Sequence, residues 1–155
     1  MAVIQVKRGD IHYANLDPVV GRETGKTRPV LVIQNDIGNM YSPTTIVAII
    51  TEYSEKKASY PICVAIKKGN GLKKNSIVNL SQIRTIDKKR LITPKLATLS
   101  EDSMKKVDDA LKKSLALSWL HNPTCHGFIP SEGTDPIHLS KEEDPLLLTF
   151  SLCEL

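Results

Sequence analysis

A short polar segment at residues 23–29, Glu-Thr-Gly-Lys-Thr-Arg-Pro, carries the residues best suited to chemistry in this sequence. It directly precedes the apolar run Val-Leu-Val-Ile at 30–33. Pro29 fixes its own φ and biases Arg28 toward an extended conformation, which aims the guanidinium from the start of a strand. A guanidinium presents a fork of N–H donors that matches a phosphate group. Arg28 is therefore a candidate phosphate-binding residue.

Thr51 is a second candidate, because it is the first hydroxyl after the five apolar residues 46–50. A hydroxyl at the end of a strand can orient a bound phosphate. Often, however, it is only a polar group whose hydrogen bonds are satisfied within the fold. The sequence alone does not pair Thr51 with Arg28.

These side chains need strands to position them, and short runs rich in Val, Ile and Thr fill the first two thirds of the chain. The predicted strands are 11–16, 29–34, 45–51, 61–67, 76–80 and 83–86. Their close spacing predicts an antiparallel meander that curls into a barrel-like sheet. Between the first two strands, residues 17–27 form a long loop of the kind that often binds or gates a ligand.

A helix is predicted next, because apolar residues recur every three or four positions along 104–118. Ser100 is the predicted N-cap, Glu101 and Asp102 suit the positive end of the helix dipole, and Asn122 with Pro123 is the predicted stop. This stripe of apolar residues is suited to packing in the core or in a dimer interface. Strands followed by a helix indicate a mainly β protein of the α+β class.

Charge divides the chain into a basic body and an acidic tail. The formal net charge is +4, with +9 in residues 1–120 and −5 in residues 121–155. A basic body favours a polyanionic partner. We predict one domain at 1–120 and an appended proline-containing tail at 121–155.

Several other classes are disfavoured. The three cysteines, at irregular spacing, indicate neither a disulfide framework nor a zinc site. Among the histidines only His12 lies in the body, which disfavours a two-histidine ribonuclease. No secretion signal and no apolar run of about 20 residues is present, so a cytoplasmic protein without membrane contact is expected.

Several ordered motifs between about Val6 and Trp119 resemble the MazF/PemK toxins. They are Lys-Arg-Gly-Asp at 7–10, Arg-Pro-Val-Leu-Val-Ile-Gln-Asn-Asp at 28–36, Ser-Pro-Thr at 42–44, and Gln-Ile-Arg-Thr-Ile-Asp-Lys at 82–88. The resemblance implies a small, strongly bent, SH3-like β-barrel of the MazF/CcdB type with a C-terminal helix. It also implies a homodimer that cuts single-stranded mRNA at specific short sequences, without a metal or other cofactor.

The resemblance places the family's catalytic pair on Arg28 and Thr51. Glu23 is a candidate for proton handling. The residues that it implies for RNA binding lie in the loop and in a later motif: Thr24, Gly25, Lys26 and Gln82. The implied products carry a 2′,3′-cyclic phosphate and a 5′-hydroxyl.

The implied partners are the RNA substrate and a MazE-like antitoxin, with DNA reached only through a toxin–antitoxin complex on the operator. The alternative function is that of the CcdB toxins, which resemble MazF in fold but poison DNA gyrase without cutting RNA. Because antitoxins of this family use an acidic segment, we also hypothesise that residues 121–155 weaken RNA binding in cis.

Overall fold

The computed structural model describes residues 4–69 and 71–117. Within these residues the chain forms one six-stranded antiparallel sheet with three α-helices. The strands are β1 Asp10–Asn15, β2 Thr27–Val32, β3 Thr44–Glu52, β4 Cys63–Ile66, β5 Ser76–Asp87 and β6 Leu91–Thr98. The helices are α1 Asp36–Tyr41, α2 Glu55–Ala58 and α3 Glu101–Ser114, and a short 3₁₀ helix spans Lys88–Arg90.

The strand order is β4-β5-β3-β2-β1-β6, with every neighbouring pair antiparallel. The sheet bends so far that its two ends meet. In the turn between β4 and β5, a Cβ on Gly71 would overlap the carbonyl oxygen of Leu96 in β6. This contact between the two ends confirms the predicted bent, barrel-like sheet.

Two apolar clusters fill the two faces of the sheet. One contains Ile11, Leu31, Ile50 and Leu80 and receives Val107 from α3. The other contains inward-facing valines and isoleucines of β2 and β3 with neighbours from β1 and β5: Ala14, Leu16, Val30, Val32, Val47, Ile49 and Ile86. Strands buried on both faces read as continuous apolar runs, which is why β2 and β3 were recognisable in the sequence.

The predicted helix is present, but its predicted end is wrong. Ser100 caps α3 by accepting from the Ser103 N–H at 3.4 Å, as expected. The helix stops at Ser114, well before Asn122. Ala116 adopts φ 54°, and the Leu117 N–H donates to the Lys112 carbonyl at 2.9 Å. This closing pattern usually carries glycine, so an alanine there gives no sequence signal.

The strand predictions need two further corrections. The predicted strands 76–80 and 83–86 are one long strand, β5, whose register against β3 shifts between Asn79 and Ile83. Strand β6 was missed because Pro94 and Lys95 interrupt its apolar pattern. Proline is tolerated there since β6 lies at the sheet edge and its pairing with β1 is irregular at this point.

The short helices α1 and α2 were also missed, because six and four residues are too few to display a helical period. The proposed boundary at residue 120 and the tail 121–155 lie outside the described residues.

Candidate active site

Arg28 and Thr51 line the same cleft, which we call the arginine cleft. Its volume is about 220 Å³. The remaining walls come from β1, β2, β3, the start of β5 and the turn that leads into it: Tyr13, Pro29, Ile50, Glu52, Leu72, Lys73, Lys74 and Ser76. The cleft therefore combines a guanidinium, a hydroxyl, a carboxylate and two ammonium groups.

Strand register explains why these two residues meet. Strands β2 and β3 pair antiparallel, with Val30 opposite Ile49. The pairing ends there, and Arg28 and Thr51 each lie two residues beyond this last pair on the two strands. Both side chains are half-buried, so each is held by its strand while its polar end faces the cleft.

Two contacts organise the β3 side of the arginine cleft. The Lys57 ammonium donates to the Thr51 hydroxyl oxygen at 3.5 Å. Beside it, Lys74 forms an ion pair with Glu52 at 3.0 Å. Both members of that pair are largely exposed, so solvent screens their attraction and substrate can compete for either group.

A second cleft of about 480 Å³ lies along the long loop, and we call it the loop cleft. It contains three of the predicted residues, Glu23, Thr24 and Gln82. The other lining residues are Val20, Arg22, Ile49, Ser81, Ile83 and Arg84. Glu23 therefore lies in a different cleft from Arg28 and Thr51, and its carboxylate accepts from the Val20 N–H at 3.3 Å.

Gln82 is positioned by the irregularity in β5. Consecutive residues Ala48 and Ile49 of β3 pair with Ile83 and Asn79, leaving three residues of β5 unpaired between them. The Gln82 side-chain oxygen is buried and has no hydrogen-bond partner within the described residues. A bulge of this kind redirects side chains and is common next to functional sites.

The base of the long loop is held by two arginines. Arg84 donates to the carbonyls of Leu16 at 2.7 Å and Pro18 at 3.3 Å. Arg90 donates to the carbonyls of Asn15 and Asp17. The predicted RNA-binding residues Gly25 and Lys26 follow on the returning half of this loop.

Gly25 and Lys26 line neither of the two clefts. The carbonyl of Gly25 accepts a hydrogen bond from Arg28 Nε at 3.0 Å. The backbone N–H of Lys26 donates to Asp17 at 2.9 Å, and its side chain is exposed. The same loop carries Glu23 and Thr24 of the loop cleft. Its contact with Arg28 therefore links the two clefts.

His12 is buried in β1 and is not among the residues that line the arginine cleft. Burial lowers its pKa below the usual value, against opposing contributions from the Ile92 carbonyl and from Asp10. Its Nε2 has no hydrogen-bond partner in the described part of the chain. These features describe a neutral core histidine and give no support to a two-histidine mechanism.

Sequence reasoning missed four polar residues of the arginine cleft, Glu52, Lys73, Lys74 and Ser76. Glu52 directly follows Thr51, so its position was a usable signal. The lysines come from a basic turn that is distant in sequence from Arg28, and the antiparallel pairing of β3 with β5, with Glu52 opposite Ser76, brings that turn to the cleft. In residues 4–69 and 71–117, no group of three or more His, Cys, Asp or Glu is arranged to hold a metal ion. No helix in these ranges is long and apolar enough to cross a membrane.

The chain is similar to two curated bacterial endoribonucleases. It is 57% identical to Endoribonuclease EndoA of Bacillus subtilis over 113 residues, which cover 72% of this chain and 96% of that protein. It is 54% identical to Endoribonuclease MazF of Staphylococcus epidermidis over 114 residues, covering 73% and 93% of the two chains.

Solved structures share the fold. MazF from Deinococcus radiodurans superimposes with a TM-score of 0.63 at 22% identity, over 73% of this chain and 98% of that one. A mycobacterial endoribonuclease in complex with its cognate antitoxin gives 0.61 at 23% identity, over 74% and 98%. Residues 7–115 match the family described as the PemK-like, MazF-like toxin of type II toxin-antitoxin systems. The chain therefore belongs to the PemK/MazF toxin family.

Proposed function

We propose that this protein is an endoribonuclease toxin that cuts single-stranded mRNA in the cytoplasm and arrests growth. The observation that carries the proposal is the shared cleft of Arg28 and Thr51. Lys73 and Lys74 line the same cleft, so a phosphodiester seated there meets three cationic groups. The names of the two curated relatives support a nuclease over the alternative, a gyrase poison.

The proposed reaction is an internal attack by the 2′-hydroxyl on the adjacent phosphorus. The new bond joins the 2′-oxygen to phosphorus, and the bond to the 5′-oxygen breaks. Arg28 stabilises the charge that builds on the phosphoryl oxygens and donates a hydrogen bond to the departing 5′-oxygen, which takes up a proton from solvent, while Thr51 orients the phosphate. The products are a 2′,3′-cyclic phosphate and a 5′-hydroxyl, and the proposed reaction needs no metal.

The 2′-hydroxyl proton needs an acceptor, and arginine is too basic for that task. Two carboxylates are available. Glu52 lies in the arginine cleft itself, while Glu23 lines the loop cleft. Comparing Glu52→Gln with Glu23→Gln separates them, because loss of the base lowers kcat and removes the acidic limb of the pH–rate profile. The other substitution leaves that limb in place.

We propose that the loop cleft receives bases that flank the cut. Single-stranded RNA is recognised through unstacked bases and the hydrogen bonds of their edges. The unpartnered oxygen of Gln82 suits an amino group of a base, Thr24 offers a hydroxyl, and Arg22 lies beside them. Lys26 adds an exposed positive charge near the RNA backbone.

The test is to incubate the purified protein with a long mixed-sequence RNA in excess EDTA and to identify both end groups at each cut. We expect a few specific cut sites with cyclic phosphate and 5′-hydroxyl ends. A 5′-phosphate, or a requirement for a divalent cation, contradicts the mechanism. Intact RNA combined with inhibition of gyrase supercoiling supports the CcdB-like alternative.

We further propose a homodimer and a cognate MazE-like antitoxin, supported by family membership and by the antitoxin complex of the mycobacterial relative. Helix α1 offers an apolar surface for the dimer contact. Ile37, Met40 and Tyr41 are 75%, 72% and 81% exposed. Large exposed apolar patches are rare on soluble monomers and often mark protein–protein contacts.

Light scattering at micromolar concentration tests the dimer. We expect twice the chain mass for the unchanged protein and the mass of one chain for Met40→Glu. The matched control is Val20→Glu, because Val20 is equally exposed at 80% but lies in the loop. A single-chain mass for the unchanged protein overturns the dimer, and a dimeric Met40→Glu places the contact elsewhere.

A further inference from the structure

The most informative unexplained feature is the way the long loop touches Arg28. Arg28 Nε donates to the carbonyl of Gly25 at 3.0 Å. This contact uses the inner N–H of the guanidinium and leaves both terminal nitrogens available for a phosphate. It also fixes the plane of the group, because a guanidinium is rigid and planar.

A side chain on Gly25 would collide with two neighbouring side chains of the loop. A Cβ built on it would lie 2.6 Å from Asp17 Oδ1 and 2.9 Å from a methyl carbon of Val19. Distances below 3.0 Å force something to move. The absence of a side chain at position 25 is therefore what allows its backbone to sit against Asp17.

Asp17 is itself fixed on two sides. Its carboxylate accepts from the Lys26 N–H at 2.9 Å, and Lys26 has φ 65°, a left-handed conformation that needs local support in a non-glycine residue. The Asp17 carbonyl accepts from Arg90. Asp17 thus ties the outgoing half of the loop to the returning half at the residue next to Gly25.

We propose that Asp17 and Gly25 are positioning residues for Arg28: Asp17 holds the Gly25–Lys26 backbone so that the Gly25 carbonyl orients the guanidinium. This inference rests on the proposed function, in which Arg28 acts on the phosphate. It assigns Gly25 a role in aligning Arg28, in place of the direct RNA contact that the family resemblance implies.

Kinetics distinguish these two roles. A misaligned Arg28 loses interactions made in the transition state, so kcat falls by about 10- to 100-fold while KM changes little. A lost RNA contact raises KM at unchanged kcat. The variants are Gly25→Ala and Asp17→Ala. Asp17→Asn keeps an acceptor oxygen for Lys26 and is expected to recover most of the kcat lost in Asp17→Ala.

The control for glycine substitution is Gly38→Ala in α1, whose nearest neighbours are atoms of the flexible Gln34 side chain. The double variant Asp17→Ala, Gly25→Ala supplies a coupling test. Removing the carboxylate removes the atom closest to the new methyl group, so the combined loss should be smaller than the product of the two single losses.

A measurement without RNA keeps the inference separate from the proposed function. Hydrogen exchange at Arg28 Nε is followed by nitrogen-15 NMR, with the signal assigned by its disappearance in Arg28→Lys. We expect slow exchange in the unchanged protein and in Asp17→Asn, and faster exchange in Gly25→Ala and Asp17→Ala. Unchanged exchange in Gly25→Ala, or a raised KM at constant kcat, overturns the inference. An Arg28→Lys protein that cuts RNA at the normal rate instead overturns the catalytic role of Arg28.

Discussion

Arg28 and Thr51 line one cleft from neighbouring strands, each two residues beyond the pairing of Val30 with Ile49. Arg28 comes before the buried apolar run of β2, and Thr51 comes after the buried apolar run of β3. The sheet therefore delivers a guanidinium and a hydroxyl to one cleft from rigid elements, and only the inner nitrogen of Arg28 depends on a loop.

The first prediction concerns this pair. Arg28→Ala and Thr51→Ala should each lower the cleavage rate by about 100- to 1000-fold, the usual cost of removing one donor that stabilises transition-state charge. Arg28→Lys should restore only part of the activity, because an ammonium cannot form the two-pronged contact. Cleavage is followed on a single-site RNA, with circular dichroism to check folding.

Matched controls for the first prediction are Lys106→Ala on α3 and Thr85→Ala on β5, which change the same kinds of groups at exposed positions outside both clefts. Both should cut RNA within about twofold of the unchanged protein. A folded Arg28→Ala or Thr51→Ala protein with activity in that range removes the residue from the mechanism.

A second prediction tests the core beneath the clefts. Val47→Ala should lower the free energy of unfolding by about 2 kcal/mol, since Val47 is fully buried between β2 and β5 and the change deletes two methyl groups and leaves a cavity. Val20→Ala deletes the same atoms at an exposed loop position and should cost less than about 0.5 kcal/mol. Urea unfolding measures both values, and equal losses contradict the described burial.

The third prediction is a loss of stability on mild acidification. Burial lowers the pKa of His12 below its ordinary value of 6.5, so the unfolded chain binds this proton more readily than the folded protein does. The free energy of unfolding should therefore fall as the pH drops through 6.5. Asp10 does not account for this change. Burial acts to raise its pKa, but hydrogen bonds from Lys95, Thr98 and Lys7 outweigh that effect and hold it below 3.8.

Urea unfolding at pH 7.5 and 5.5 measures the effect, with His12→Gln as the comparison. The variant should show a smaller difference between the two pH values, because its neutral amide does not titrate. Identical differences in both proteins assign the pH dependence to other groups.

The fourth prediction concerns residues 121–155, whose structure is outside the described ranges. Truncation after Leu120 raises the formal net charge from +4 to +9. We expect tighter RNA binding and faster cutting at fixed low salt, with the gain shrinking as salt screens the charges. A neutralised tail, with its six acidic residues changed to amides, should behave like the truncation. Unchanged affinity in both leaves the tail without an inhibitory role.

The sequence predicted the elements whose signal is local. Strands β2 and β3 are apolar on both faces, and α3 carries a cap and an apolar stripe, so each was recognised. Strand β6 was not, because its Pro94 is acceptable only at an edge, and edge position depends on the whole topology. The predicted end of α3 was wrong because Ala116 adopts a left-handed conformation that residues with a side chain seldom adopt, and the sequence gives no sign of it.

The candidate site follows the same pattern. Arg28 could be singled out from Pro29 and the apolar run that follows it, and Thr51 as the first hydroxyl after another run. The residues alone could not pair them, because strand register joins residues far apart in sequence. Lys73 and Lys74 were missed for the same reason, because it is the pairing of Glu52 with Ser76 that brings the turn before β5 to the cleft.

The contact between the two ends of the sheet also bears on aggregation. The edge of a sheet has unpaired backbone N–H and C=O groups that can pair with a strand of another molecule, and natural proteins often cover such edges. Here the turn at Gly71 lies directly against the Leu96 carbonyl of edge strand β6, where no larger residue fits. A side chain at position 71 would press the turn away from Leu96 and leave the β6 edge more accessible to a strand of another molecule. Gly71 thus lets the turn cover part of this edge and limits unwanted strand pairing along β6.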